Sequence, residues 1–290
     1  MNIVVSLNKC RGITSHDAVT AVKKTFKVRK AGHTGTLDPI ATGLMLVCLN
    51  EATKIAGLIE SFDKEYIVMA RLGESTDTYD SDGKVVRSTD TSSVNLNDIR
   101  QALKGFEGEI EQVPPMYSAI KMNGQPLYKL ARKGLEVERK PRRVIVEPLE
   151  IMDFATPFLK LKVSCSKGTY IRSICNDLGN ELGVGAHMTE LIRTRIGSFK
   201  IEDAAEINEL PDKPGSLFSI DRALSHLEEL RVEGDDLKKA KNGNQLSLSL
   251  LNGQQGANGH LLRLKEAEGR LFGIGKVMRD SIKIERLLFL

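Results

Sequence analysis

Two polar segments of the chain carry side chains able to do chemistry. The first is Ala31-Gly32-His33-Thr34-Gly35-Thr36-Leu37-Asp38-Pro39-Ile40-Ala41-Thr42-Gly43, a glycine-rich loop that runs into the apolar stretch Leu44 to Leu49. Pro39 disfavours a helical conformation at Asp38, and the glycines open backbone angles that other residues avoid. A carboxylate held on such a loop by a buried strand can serve as acid, base or nucleophile; an aspartate in the same place can also simply cap a turn. The second segment, Ser166-Lys167-Gly168-Thr169-Tyr170-Ile171-Arg172-Ser173, lies where a β-patterned stretch gives way to a helix. Tyr170 and Arg172 do not share a helical face, yet in a first turn both can project over the strand ends. An arginine there can pair with a carboxylate from another loop and keep it ionised and oriented. Taken alone, the two residues read rather as a surface arginine and a core tyrosine.

Other chemistries lack their signatures. Gly273-x-Gly275-Lys276 does not have the spacing of a phosphate-binding P-loop, and no G-x-G-x-x-G follows a strand, so nucleotide cofactors are not indicated. Asp77-Thr78-Tyr79-Asp80-Ser81-Asp82-Gly83 superficially resembles a calcium loop, but Thr89 falls where a bidentate glutamate belongs, and the segment is expected to be a solvated turn. His16, His33, His187, His226 and His260 show no paired ligand spacing, which disfavours metal catalysis. Cys10, Cys48, Cys165 and Cys175 form no Cys-x-x-Cys and are expected to be reduced and mostly buried.

The elements that must position these groups follow from pattern. Ile3 to Leu7 reads as a strand. Thr14-x-x-Asp17 is a capping box, opening a helix whose apolar stripe is Ala18, Val19, Val22 and Phe26. Leu44 to Leu49 suits a strand buried on both faces, while Tyr66 to Leu72 and Phe158 to Cys165 alternate as half-buried strands. Asp82-Gly83 is a hairpin signal between Tyr66–Gly73 and Lys84–Arg87. Helices are expected at Leu96–Leu103 and Tyr170–Leu182, the second closed by Gly183. After Glu229 the texture changes to short strands, Leu261–Leu264 and Leu271–Val277, with turns at Asn252-Gly253 and Asn258-Gly259.

With 290 residues, 41% of them hydrophobic and 28% charged, the chain has the composition of one large globular domain plus a small appendage, not of a disordered protein. It has no apolar run long enough to span a membrane and no leader pattern, so a cytoplasmic location is expected. The formal charge of +4 is modest. Its distribution says more. Lys121 to Arg143 holds eight basic residues, among them Lys121, Lys129, Arg132 and Arg142, against two acidic ones, and Lys23, Lys24, Lys27, Arg29 and Lys30 form a second cluster without acid. One such run is a solvated face; two beside the chemical segments point to phosphate contacts. Residues 230–290 carry 11 basic and 7 acidic residues, while residues 1–229 balance at 31 each.

Taken together, Gly32-His33-Thr34-Gly35-Thr36-Leu37-Asp38-Pro39, Lys64-Glu65-Tyr66 with Arg71-Leu72-Gly73, Pro114-Pro115-Met116-Tyr117-Ser118-Ala119 and Lys167-Gly168-Thr169-Tyr170-Ile171-Arg172 closely resemble, in order, the motifs of bacterial tRNA pseudouridine-55 synthases of the TruB family. Leu7 to Ser15 is similar to the family's first motif, with Cys10 where proline is usual. The resemblance spans residue 3 to about residue 200. It implies an α+β fold, a mixed and largely antiparallel sheet flanked by helices, over residues 1–229, and a small β-rich PUA-like RNA-binding domain over 230–290. By the same resemblance Asp38 is the catalytic aspartate, Tyr66 the tyrosine that stacks on the base, Arg172 the partner of Asp38, and Tyr170 a further active-site residue. His33 is similar to the residue that fills the space left by a flipped nucleotide, and Leu191 to an apolar residue lining the pocket.

The implied reaction breaks the C1′–N1 bond of a uridine, rotates the base and rejoins it through C5, with no net redox change and hence no cofactor. The carboxylate either attacks at C1′ or assists elimination and re-addition. The target must leave its stack, at a cost of a few kcal/mol. The expected substrate is the T-stem-loop of tRNA, and the expected enzyme is a monomer needing no protein partner. Two other readings stand beside it: a non-catalytic RNA-binding or RNA-chaperone module, and the guide-RNA-dependent branch of the superfamily, which usually carries extra terminal segments.

Overall fold

The computed structural model describes residues 1–122, 124–251 and 257–290. The chain runs β1 (Ile3–Lys9), α1 (Ser15–Thr25), β2 (Ala31–His33), β3 (Thr42–Leu49), α2 (Ala56–Glu60), β4 (Lys64–Leu72), β5 (Glu74–Thr76), β6 (Val85–Ser88), α3 (Leu96–Leu103) and β7 (Gly108–Gln112). It continues through the short β8 (Lys121–Met122) and β9 (Gln125–Pro126), α4 (Leu127–Ala131), β10 (Arg142–Val146), β11 (Glu150–Ala155), β12 (Phe158–Cys165), α5 (Ile171–Glu181), β13 (Ala186–Ile196), β14 (Phe199–Lys200), β15 (Leu217–Ser219) and α6 (Ile220–Ala223). The last segment is β16 (Glu228–Arg231), α7 (Gly234–Lys241), β17 (Leu261–Lys265), β18 (Leu271–Val277) and β19 (Ile282–Leu287).

The large sheet has the order β15-β1-β3-β13-β4-β12-β10-β7, with β2 paired to β3, β11 to β12 and β14 to β13. Every pair in it is antiparallel except β3 with β13. The uninterrupted apolar run of β3 is explained by burial on both faces. Met45, Val47 and Leu49 enter one core with Val19 and Val22 of α1, Ile99 of α3 and Ile174 and Leu178 of α5. Leu44, Leu46 and Cys48 enter a second core with Ile59 of α2 and Ile220 of α6. The capping box is present: the Thr14 hydroxyl accepts from Asp17 N at 3.1 Å, and Asp17 Oδ2 accepts from Thr14 N at 3.1 Å.

One expectation is corrected. Asp82-Gly83 does lie in a hairpin connection, but the strand before it is β5, paired with β6, and not Tyr66–Gly73. β4 has β12 on one side and β13 on the other, so it has no free edge, and Gly73 (φ +89) turns the chain out of it. Separately, β16 runs across the 229/230 boundary and opens a four-stranded sheet, β16-β17-β18-β19. This small sheet has its own core of Leu230, Leu262, Leu264, Phe272 and Ile282. Its other face contributes Leu271, Ile274 and Leu288 to the second core of the large sheet. Asn258-Gly259 is a turn as expected, whereas Asn252-Gly253 lies outside the described residues. Among the described residues no helix is long and apolar enough to cross a membrane.

Candidate active site

On the face of the large sheet that carries α1, α3 and α5, the register lines up one row of residues across five strands. Lys9 of β1 stands opposite Gly43 of β3, Gly43 opposite Arg193 of β13, Arg193 opposite Tyr66 of β4, and Tyr66 opposite Val163 of β12. Leu191 sits beside this row, opposite Val68, and is buried in the first core. The loop between β2 and β3 is pinned to α1 by Ser15, whose hydroxyl donates to Leu37 O and accepts from Leu37 N, both at 2.8 Å. That clamp fixes the residue next to Asp38.

Arg172, in the first turn of α5, reaches the loop. Its Nε contacts Asp38 Oδ2 at 2.9 Å and its Nη2 donates to Asp38 Oδ1 at 3.2 Å, a two-pronged pairing that fixes the carboxylate plane as well as its position. The same guanidinium donates to Thr78 O at 3.1 Å and Tyr117 O at 2.8 Å and lies 3.5 Å from Asp80 Oδ2. Arg172 is 5% exposed, whereas the Asp38 side chain is 32% exposed. The arrangement therefore holds a carboxylate rigidly from behind while leaving it open in front.

Asp80 corrects the expectation of a solvated turn at Asp77–Gly83. Tyr79 adopts φ 65, Ser81 N donates to Met188 O at 2.9 Å, and the loop is thereby laced to β13 with Asp80 buried beneath Arg172. Burial pushes the Asp80 carboxyl up; Thr78 and Arg172 oppose that push, and Asp38 adds to it. Among the described residues no three His, Cys, Asp or Glu side chains converge as metal ligands.

Tyr66 is buried, 8% exposed, and burial raises its phenol, with Arg193 beside it opposing. Tyr170 caps the start of α5, and Gln112 holds its backbone on both sides, accepting from Tyr170 N at 2.7 Å and donating to Tyr170 O at 3.0 Å. Burial pushes the Tyr170 phenol up as well, with Arg142 and Arg172 among the groups that oppose it. His33 ends β2; its Nδ1 accepts from Gly35 N at 3.3 Å, and burial and the Arg193 charge hold the imidazole below its usual pKa. A neutral ring with Nδ1 as acceptor leaves Nε2–H as a donor. Buried Lys9 donates through Nζ to Cys10 O at 2.9 Å and Ile13 O at 3.0 Å, closing the turn after β1.

The structure separates the two basic clusters. Lys121, Lys129, Arg132 and Arg142 are exposed, and their segment is tied to the site through Tyr117, whose carbonyl binds Arg172, and Ser118, whose carbonyl accepts from Tyr128 N at 3.0 Å. Lys23 and Lys24 are exposed at the far end of α1, about 12 to 14 Å along its axis from the turn that clamps Leu37. Sequence reasoning missed Asp80, Gln112 and Arg193. Asp80 and Arg193 gave no usable signal, since an acidic turn and an alternating charged strand both read as solvated; Gln112 carries none.

Residues 23–171 match the family model described as TruB family pseudouridylate synthase (N terminal domain), and residues 172–230 match the one described as tRNA pseudouridylate synthase B C-terminal domain. A tRNA pseudouridine synthase B of Clostridium tetani is 42% identical over 99% of this chain and 100% of its own length. One of Saccharophagus degradans is 40% identical over 96% of this chain and 92% of its own. The solved structure of a Cbf5-Nop10-Gar1 complex contains a chain that aligns with a TM-score of 0.77 at 27% identity, covering 99% of this chain and 85% of that one. With Asp38, Tyr66, Tyr170 and Arg172 drawn to one face of the sheet and the likeness running the length of the molecule, the chain belongs to the TruB family of pseudouridylate synthases.

Proposed function

We propose that this chain isomerises uridine to pseudouridine in tRNA, at uridine 55 of the T-loop, as a cytoplasmic monomer that needs neither cofactor nor protein partner. The observation that carries the reading is the pairing of Asp38 with Arg172: a buried arginine holds, by two contacts at 2.9 and 3.2 Å, a carboxylate that is one-third open to a ligand. In this reading Asp38 stabilises or captures the cleaved sugar at C1′, and Tyr66 and Leu191 line the space for the flipped base. His33 takes the place that base leaves in the RNA stack. The lost stacking is offset by these contacts and by phosphate neutralisation along Lys121–Arg143, with Lys23 and Lys24 further out. The C-terminal unit, residues 230–290, serves as a PUA-like second grip on the RNA. Relatives at 40–42% identity over nearly their whole length carry the name tRNA pseudouridine synthase B, which favours unguided action over guide-RNA dependence.

The test is Asp38→Asn, which removes charge with little change in volume. Tritium release from tRNA labelled at uridine C5 should fall by roughly a thousandfold or more while RNA binding stays within about threefold. Release at the wild-type rate would mean that Asp38 is not the catalytic carboxylate and that the site lies elsewhere.

A further inference from the structure

Arg193, at 1% exposure, is with Lys9 one of two charged side chains fully buried in the row beneath the site. Three features aim it. It stands directly opposite Tyr66 in the β13–β4 ladder. A register shift between Arg193 and Arg195 bulges the strand there, and bulges beside active sites re-aim side chains. Finally, β3 approaches β13 so closely at Gly43 (φ +98) that a Cβ on that glycine would stand 2.5 Å from Arg193 O and 2.9 Å from Arg193 N. Only glycine permits the approach.

From this seat Nε donates to Leu44 O at 2.7 Å and Nη2 donates to Gly35 O at 3.2 Å. Gly35 belongs to the turn between His33 and Asp38, so one side chain ties the floor of the site to the loop above it. Both partners are neutral carbonyls, and bonds of that kind do not by themselves account for burying a full charge, whose effective penalty is several kcal/mol. What the charge adds is its field. Burial raises the Tyr66 phenol; Arg193 on β13 pulls it back, while Cys165 on β12 and Asp38 on the loop push it further up. The same guanidinium reinforces burial in keeping His33 neutral.

We propose that Arg193 is a positioning residue for the isomerisation: it fixes the Tyr66 hydroxyl and the Gly35 turn that leads to Asp38, and it acts on the nucleotide only through those two. The inference rests on the assignment of Asp38 and Tyr66 to the site.

The experiment uses the full chain, with Arg193→Met and Arg193→Lys assayed by tritium release from full-length tRNA. The same proteins are labelled with 13C at tyrosine Cζ, the Tyr66 resonance being the one lost in Tyr66→Phe. In Arg193→Met, kcat should fall about a hundredfold with KM within about threefold, because a group acting only on the reacting state leaves ground-state binding alone. The Tyr66 ionisation should move to higher pH. Arg193→Lys should recover part of kcat, and adding Tyr66→Phe to Arg193→Met should cost less than the product of the two single effects. A folded Arg193→Met with wild-type kcat overturns the proposal, as does a kcat loss with an unmoved Tyr66 ionisation and fully multiplicative effects. Should Arg193→Met not fold, Arg193→Lys decides: its single ammonium cannot bridge both carbonyls and the phenol, and wild-type kcat in that variant overturns the proposal. Asp38→Asn in the same assay separates the two levels. Wild-type release there removes the site assignment itself, whereas an inactive Asp38→Asn beside fully active Arg193 variants removes only the role given to Arg193.

Discussion

Around Asp38 the guanidinium of Arg172 is enclosed by two carboxylates and two carbonyls, and each of its contacts is to a named partner within 3.5 Å. The C-terminal unit pairs Arg263 and Lys265 with Asp221 on the inner side of its sheet, but its outer surface differs: on α7 Lys238–Asp235 and Lys239–Asp236 are open surface pairs, and Lys276 of β18 stands directly opposite Lys283 of β19 with like charges facing. Like charges in register weaken a ladder, and exposed pairs add little. One region spends burial to hold a single carboxylate in one orientation. The outer surface of the other leaves Lys238, Lys239 and Lys283 outward, an arrangement that suits a polyanion. Precision and adhesion are thus built from the same residue types at different depths.

Removing the buried partner should have the largest effect. Arg172→Met leaves Asp38 and Asp80 facing one another without their cation, and should cost about 3 kcal/mol in urea denaturation as well as most of the turnover. A variant as stable and active as wild type would erase the distinction between the two regions. Next come the cations beside the site. Lys129→Glu with Arg132→Glu should flatten the dependence of log affinity on log salt by about one unit per lost phosphate contact, whereas Lys23→Glu with Lys24→Glu, at the far end of α1, should change it far less. Equal slopes in the two double mutants would mean that distance from the site does not matter.

A smaller effect is expected on the small sheet. Lys283→Glu converts a like-charged pair into an opposed one, so the fold should gain a few tenths of a kcal/mol while full-length tRNA binds about three- to tenfold more weakly and an isolated stem-loop binds as before. Loss of stability together with unchanged tRNA affinity would sink the idea of an outward grip.

The smallest effect is in pH. Burial tends to raise the Asp221 carboxyl, but Lys265 and Arg263, at 2.8 and 2.7 Å, hold it below its ordinary value. Its stabilisation is therefore full above the ordinary value of 3.8 and is lost as pH falls through the depressed one. Asp80 is shifted the other way, so its ionisation works against the fold as pH rises from 3.8 through its raised value. Relative to Asp221→Asn, wild type should lose its advantage on acidification; relative to Asp80→Asn, it should lose ground as pH increases. Each change should stay below about 1 kcal/mol, and denaturation curves of the same sign for both pairs would contradict it.

What was legible in the sequence divides along physical lines. The capping box at Thr14, the doubly buried β3 and the helix Leu96–Leu103 are local, set by a few neighbouring residues, and the structure reproduces them. The partnership of Asp38 and Arg172, 134 residues apart, was accessible only through family resemblance, because no local pattern encodes it. Asp80 was misread because acidic, turn-forming residues look solvated until a distant strand, here β13 at Met188, pulls the loop inward. Arg193 was hidden by the alternation Arg193-Thr194-Arg195, since a bulge decides which face each side chain takes. The contribution of Leu271, Ile274 and Leu288 to the large sheet's second core was equally unreadable, for their apolar character is already accounted for by a small sheet of their own.

That shared core has a consequence for how the enzyme meets its substrate. Two RNA-binding units joined by a flexible linker sample a range of separations, and their joint affinity follows the statistics of the tether. Here the two units share a buried core instead, in which Leu271, Ile274 and Leu288 join Leu44, Leu46 and Phe218. The molecule behaves as a caliper whose jaws do not slide. On the reading proposed above, an RNA would be gauged by whether a loop can enter one jaw while a helical segment at a set distance rests against the other, which would make the shape of folded tRNA a criterion of selection independent of its bases.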